Sequence, residues 1–203
     1  MKKLIIFISL FTVIFNTKLY ATEKSLLVIQ DDDFFIGDSE APITIIEYAS
    51  MSCSHCADFH NNTLEDLKTE FIDTGMVKFV FRDFPFNYPA LAGSMMMRCV
   101  PNDVRYEYMN ALYQLQKSWV FREHSKTRTE LYKIMQSVGM KQDEFDACLS
   151  DINLENNLLE GVMNAQREFN IRSTPSFIIN GILYSGNKNI KEFRQIIDKI
   201  LSQ

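Results

Sequence analysis

ITIIEYASMSCSHCADFH, residues 43–60, joins a short β-branched run to two cysteines with two residues between them. Ile43–Tyr48 is apolar, branched and brief, which reads as a buried strand, and Pro42 suits its start. Working forward, ADFHNNTLEDLKTEFIDTG (57–75) places Phe59, Leu64, Leu67, Phe71 and Ile72 at helical spacing and stops at Gly75, so one helix is predicted there. MVKFVFRDF (76–84) alternates Val77, Phe79 and Phe81 against Lys78, Val80 and Arg82, a second strand. Strand, helix and strand within about 40 residues make a βαβ unit with parallel strands and a right-handed crossover.

Residues 89–169 carry a different pattern. Leu112, Leu115 and Trp119, then Leu131, Ile134, Met135 and Val138, then Leu158, Leu159, Val162 and Met163 recur every three or four positions. Pro101, Gly139 and the polar Lys141–Asp143 stretch separate these runs, so several helices are expected. Met95–Met97 read as core and boundary residues of a helix, with an adaptable substrate surface as the alternative. Phe84, Pro85, Phe86 and Tyr88 form either an exposed patch or a packed loop. STPSFIINGILYSG (173–186) gives two short strands around the hairpin signal Asn180-Gly181. Ile190, Phe193, Ile196, Ile197 and Ile200 then mark one apolar face of a last helix. Neither the βαβ unit nor the terminal ββα completes a sheet alone, so an interrupted α/β domain fits better than two domains in series.

The ends and the composition set the compartment. Lys2 and Lys3 precede an apolar run, Leu4–Phe15, of the length of a signal-peptide core and too short to span a bilayer. Residues 1–21 are therefore expected to be a signal peptide cleaved after Ala21, the alternative being an uncleaved anchor. Cleavage removes three lysines, which takes the formal charge from −5 to −8. An acidic mature chain argues against nucleic acid and anionic lipid as partners. The Asp31–Asp33 trio reads as a solvated turn. Four cysteines in an exported chain permit disulfides in three pairings; if Cys53 and Cys56 form one unit, Cys99 and Cys148 are left for the other.

The strand-to-helix junction places Cys53 at a helix start, where free N–H groups and the helix dipole stabilise a thiolate below its usual pKa of roughly 8.5. A protonated His55 would add a positive neighbour. Cys56 lies one turn further in and faces the interior. An exposed, acidic sulfur with a buried partner suits disulfide exchange. A c-type haem site is excluded because Ala57, not histidine, follows Cys56. A metal site built on Cys53, Cys56 and His60 with Cys99, Cys148 or His124 lacks a second paired-ligand motif. A purely structural Cys53–Cys56 bridge has little to hold at a turn with its own geometry. His60 reads as an ordinary polar residue of the helix. Glu47 is the odd residue of its strand: it is either a buried carboxylate that relays the proton of Cys56 or a solvated group at the strand end. Thr174-Pro175 must start a strand or lie on an edge, and an edge would leave the Thr174 backbone free for an extended substrate. Taken by itself that X–Pro bond is expected to be trans.

Together IGDSEAPITIIEYASMSCSHCADFH, FVFRDFPF, STPSFIING and the helical block resemble the DsbA-like thiol–disulfide oxidoreductases of the thioredoxin superfamily, in their alphaproteobacterial form. The resemblance implies an α/β thioredoxin fold with an inserted helical domain: residues 22–88 and 170–203 form the thioredoxin-like part, with an N-terminal extension, and residues 89–169 the insertion. It implies that Cys53 is the nucleophile and Cys56 its partner, with Ser54 and His55 tuning the potential. It also implies that Pro175 is cis and faces the dithiol, that Thr174 contacts substrate backbone and that Glu47 is the family's buried acid. Cys99 and Cys148 resemble a second, structural disulfide of some members; the alternative is two free buried cysteines. Ser54 stands where strong oxidants of the family carry proline, and Thr174 is also found before the cis-proline of isomerases.

The expected activity is a periplasmic dithiol oxidase acting through a mixed disulfide at Cys53. The alternatives are an isomerase or reductase on the same fold and a metal- or peptide-binding module. No cofactor and no metal are required. The expected partners are reduced exported proteins and, by family alone, a DsbB-like membrane reoxidant; the chain reads as a monomer.

Overall fold

The structure, a computed structural model, describes residues 33–202. The signal-peptide reading of residues 1–21 and most of the Asp31–Asp33 trio lie outside the described residues.

Among the described residues five strands form one mixed sheet in the order β1-β3-β2-β4-β5. β2 (Ile43–Ala49) and β3 (Val77–Asp83) run parallel in register from Ile43 opposite Val77 to Ala49 opposite Asp83. Both are buried along most of their length, as the inner strands of a covered sheet require. β4 (Ser176–Ile179) lies antiparallel to β2 on its other side, and β5 (Ile182–Ser185) closes that edge antiparallel to β4. The β4–β5 turn is Asn180-Gly181, both at positive φ (44° and 87°), which a two-residue hairpin of this hand needs.

The opposite edge, β1 (Phe34–Ile36), pairs antiparallel with β3 and was not foreseen. Three residues carry no periodicity, so nothing in FFI distinguishes a strand from a loop. Its exit is set by Gly37 at φ 97°, where a Cβ would stand 2.5 Å from the Val77 carbonyl oxygen and 2.9 Å from Ile72. Only glycine lets the backbone pass that close.

The single helix expected over residues 57–75 is instead three pieces. α1 (Ser54–Asn62) ends at Thr63, whose φ of −124° leaves the helical range; α2 (Leu64–Leu67) follows, and a π-turn spans Lys68–Ile72. The spacing explains the break. Phe59 and Leu64 are five residues apart, too far for one continuous α-helical face, yet both are buried. Interrupting at Thr63 brings both inward, and the wider π-turn carries Phe71 and Ile72 to the core together.

Six α-helices lie between β3 and β4, with a 3₁₀ turn (Asn102–Val104) between the first two: α3 (Tyr88–Cys99), α4 (Arg105–Gln114), α5 (Gln116–Trp119), α6 (His124–Ser137), α7 (Gln142–Leu149) and α8 (Ile152–Phe169). Asn87 caps α3 by accepting from the Ala90 N–H, and Asp151 caps α8 through the N–H groups of Asn153 and Leu154. Met95–Met97 are buried, as are Trp119, Leu131, Met135, Phe145 and Leu158, and they join the sheet residues in one continuous core. The spacing places Leu115, Val138, Leu159 and Met163 on apolar faces, yet all four are exposed. Periodicity marks a helix without fixing which flank meets a partner. Of the undecided loop, Phe84 is buried, Phe86 is exposed and Tyr88 stacks on His124.

The last helix, α9 (Ile190–Leu201), starts with a capping box, Asn189 with Glu192. Its fully buried Phe193 and Ile197 meet the sheet; Phe193 lies 5.7 Å from Phe59 and 5.2 Å from Phe177, ring centre to ring centre. This aromatic layer sits under α1 and fixes the helix that carries the dithiol.

Candidate active site

Cys53 is the N-cap of α1, at extended φ and ψ of −82° and 121°. Its N–H donates to the Ser50 carbonyl at 3.0 Å, so the turn out of β2 is closed before the helix begins. Ser54 and His55 are exposed in the first turn, and Cys56, one turn in, is fully buried. The two cysteines are free thiols here.

Their ionisation is pushed apart. The Cys53 pKa is lowered to about 5, first by the hydrogen bond from the Cys56 thiol, then by the Thr174 side chain and by the backbone N–H groups of Cys56 and His55; partial burial works against this. Thr174 meets the same sulfur twice, because its backbone carbonyl also accepts from the neutral Cys53 thiol at 3.3 Å. Burial pushes the Cys56 thiol far up, reinforced by its hydrogen bond to Cys53 and by the negative charges of Glu47 and Cys53.

The Thr174-Pro175 peptide is cis, not the trans form expected from the dipeptide alone. Nor does it lie on an edge: β4, which it precedes, is paired to β2 on one side and β5 on the other, and the Pro175 carbonyl accepts from Gly186 N–H at 2.9 Å. Proline is tolerated because it stands just before the ladder, where no N–H is needed from it.

Glu47 is completely buried on β2. His60, read from the sequence as an ordinary polar helix residue, is also buried, and its Nε2 is 2.9 Å from Glu47 Oε2. The correction has a simple cause. His60 lies four residues after Cys56, on the same face of α1, and that face covers the sheet. Tyr113 of α4 stacks on the imidazole at 4.0 Å, and burial drives its hydroxyl pKa well above the usual value. A second missed residue is Gln116, nearly buried on α5, whose amide nitrogen donates to the carbonyls of Met51 and Cys53, each at 3.0 Å. Nothing in LYQLQKSW marks it. α3 closes the back of the same loop. A Cβ on Gly93 would lie 2.9 Å from both Met51 and Trp119.

Cys99 on α3 and Cys148 on α7 are joined as a disulfide with Cα atoms 6.2 Å apart. Four of the six residues weighed for a metal have other partners: Cys99 and Cys148 are bonded to each other, His60 pairs with Glu47, and the His124 ring stacks on Tyr88. Among the described residues no cluster of three or more histidine, cysteine or acidic side chains converges.

A two-sulfur site with this asymmetry can carry out thiol–disulfide exchange. Residues 30–199 match the family model described as Thioredoxin. A Rickettsia felis protein, provisionally named a protein-disulfide oxidoreductase, is 28% identical over 182 residues, which cover 89% of this chain and 64% of that one. The chain thus spans just under two thirds of that relative's length. The crystal structure of Wolbachia pipientis alpha-DsbA1 superposes with a TM-score of 0.81 at 31% identity, covering 87% of this chain and 94% of that chain. A protein-disulfide isomerase from Novosphingobium aromaticivorans, 23% identical, shares the fold with a TM-score of 0.77 over 86% of this chain and 100% of that chain. The chain belongs to the thioredoxin family, in its DsbA-like branch.

Proposed function

We propose that the protein is a thiol–disulfide oxidoreductase that introduces disulfides into exported proteins in the periplasm. In the oxidised enzyme, a substrate thiolate attacks Cys53 Sγ and the Cys53–Cys56 bond breaks, leaving its electron pair on Cys56. A second substrate thiolate then attacks the substrate sulfur of the mixed disulfide, and Cys53 leaves as a thiolate. The observation that carries this reading is the lowered pKa of Cys53 beside a buried, high-pKa Cys56. A stabilised thiolate favours the reduced dithiol and so makes the disulfide an electron acceptor.

Placement supports the following residue roles. Cys53 is the exchanging sulfur and Cys56 the resolving one. Ser54 and His55 face the incoming substrate, and Thr174-Pro175 flank the sulfur where an extended chain would lie. Glu47 takes and returns the Cys56 proton. Signal-peptide cleavage, a DsbB-like reoxidant and a monomeric state belong to the same proposal.

Incubation with a reduced, unfolded test protein checks it. The wild-type oxidised enzyme should form disulfides in that protein; Cys53→Ser and Cys56→Ser, neither of which can form the accepting Cys53–Cys56 disulfide, should abolish this. Normal turnover by Cys53→Ser would reject the mechanism. Thr174 before the cis-proline supports isomerisation as a second reading, for which a scrambled-disulfide substrate would be repaired faster than a reduced one is oxidised.

A further inference from the structure

We infer that His60 is the proton carrier of the buried cysteine, linking Glu47 to solvent through a water-sized cavity that ends at Asp83 and Arg98. The inference rests on the exchange reaction proposed above and adds a route for its proton.

Cys56 and His60 are four residues apart on α1 and so share the face that covers β2. His60 gives one ring nitrogen to Glu47: Nε2 stands 2.9 Å from Oε2. The other, Nδ1, is buried and has no hydrogen-bond partner among the described residues. A buried polar nitrogen left unpaired is unfavourable and calls for an explanation. The explanation lies beside it. His60 and Tyr113 line a cavity of about 30 Å³, and Asp83, Arg98 and Arg105 line it too. One water needs roughly 10–15 Å³ and two to four polar partners. Arg105 Nε is likewise buried and unpartnered, so two orphaned nitrogens border one water-sized space. Asp83 and Arg98, ion-paired at 2.9 Å, are 14% and 17% exposed and mark its solvent end.

The groups around His60 are Glu47 from β2, Cys56 from α1, Arg82 and Asp83 from β3, Arg98 from α3, and Tyr113 and Arg105 from α4. None but His60 has one nitrogen on Glu47 and another free beside the cavity. A neutral imidazole donates at one nitrogen and accepts at the other. When Cys56 is released as a thiolate it takes a proton from Glu47; His60 passes its Nε2 proton to Glu47 and takes one at Nδ1 from the cavity. In the reverse direction, when Cys56 must attack the mixed disulfide, its proton leaves by the same atoms in the opposite order. No electrons move through His60; they stay with the sulfurs.

Reaction of the reduced protein with dithionitrobenzoate separates the steps. The first thionitrobenzoate is released when Cys53 attacks the reagent, the second when Cys56, having lost its proton, attacks Cys53. His60→Gln keeps a donor for Glu47 and cannot carry a proton. It should leave the first release within about twofold, slow the second on the order of 10²-fold and alter its pH profile, as loss of a general base does. Asp83→Asn should slow the second release in the same sense. In the wild-type protein, nitrogen spectra of the imidazole should show the His60 ring changing tautomer or charge between oxidised and reduced forms. That measurement decides the matter if the variants do not fold. A second release with wild-type rate and pH profile in His60→Gln, or one unchanged ring state in both redox forms, overturns the inference. Failure of the enzyme to oxidise substrates would sink the proposed function instead, and would leave these two readouts intact.

Discussion

At the scale of the residue, the charge on Cys53 ties redox state to pH. Its folded pKa is about 5, against 9.0 for an unperturbed cysteine, so between these values the native reduced protein has lost a proton that the unfolded chain still holds. Stability of the reduced form therefore rises with pH across that window and is lost as pH falls through 5. Cys56 acts with the opposite sign: its raised pKa keeps it protonated when folded, so above about pH 9 the unfolded chain alone ionises it and the reduced form is destabilised. Neither sulfur titrates in the oxidised protein. The melting temperature of the reduced form relative to the oxidised form is thus expected to climb from pH 5 to pH 8, and thermal melts of both forms in matched buffers measure it; a flat difference would contradict the Cys53 ionisation. The sequence pointed to this acidity through the helix start and a protonated His55. The leading cause turns out to be the Cys56 thiol itself, a donor supplied by three-dimensional placement. Glu47 has two sequence readings for the same reason, since a strand position fixes a face and not what covers it.

At the scale of the element, the loop between β2 and α1 depends on one side chain from far along the chain. Gln116 satisfies two carbonyls, those of Met51 and Cys53, that the turn leaves pointing at α5. Replacing it with alanine leaves the buried Met51 carbonyl unpaired and should cost about 1–3 kcal/mol, read as a lower urea midpoint with an unchanged slope. Alkylation of Cys53 at fixed pH should change in the same variant, because the loop that aims the sulfur loses its tether; no change in either would show that α5 merely covers the loop. Strands and long helices were legible because alternation and the 3.6-residue period survive in β2, β3, β4–β5 and α9. β1 was not, having too few residues for any period, and the break at Thr63 was hidden because the apolar spacing of five was read as approximate helical repetition.

At the scale of the whole molecule, the sheet is closed by pairings that local pattern cannot supply. β2 takes β3 on one side after a short crossover and β4 on the other only after the six helices of the insertion have been made. Those helices must hold α3 against Met51 and α5 against the active-site loop for the dithiol to keep its geometry. The Cys99–Cys148 bond joins α3 to α7 across a sequence separation of 49, and cross-linking a loop of that size removes enough freedom from the unfolded chain to stabilise the fold by about 4 kcal/mol in the chain-entropy description. Replacing both cysteines with alanine is therefore expected to lower unfolding free energy by up to that amount, with a buried Cys148 side chain adding a small packing loss. Equilibrium urea unfolding of the double variant, with Cys53 and Cys56 kept oxidised in both proteins, isolates the effect. A loss within experimental error would mean that the unfolded chain is already confined over this stretch, and that the insertion is held to the sheet by its buried Met95–Met97, Trp119 and Phe145 packing alone.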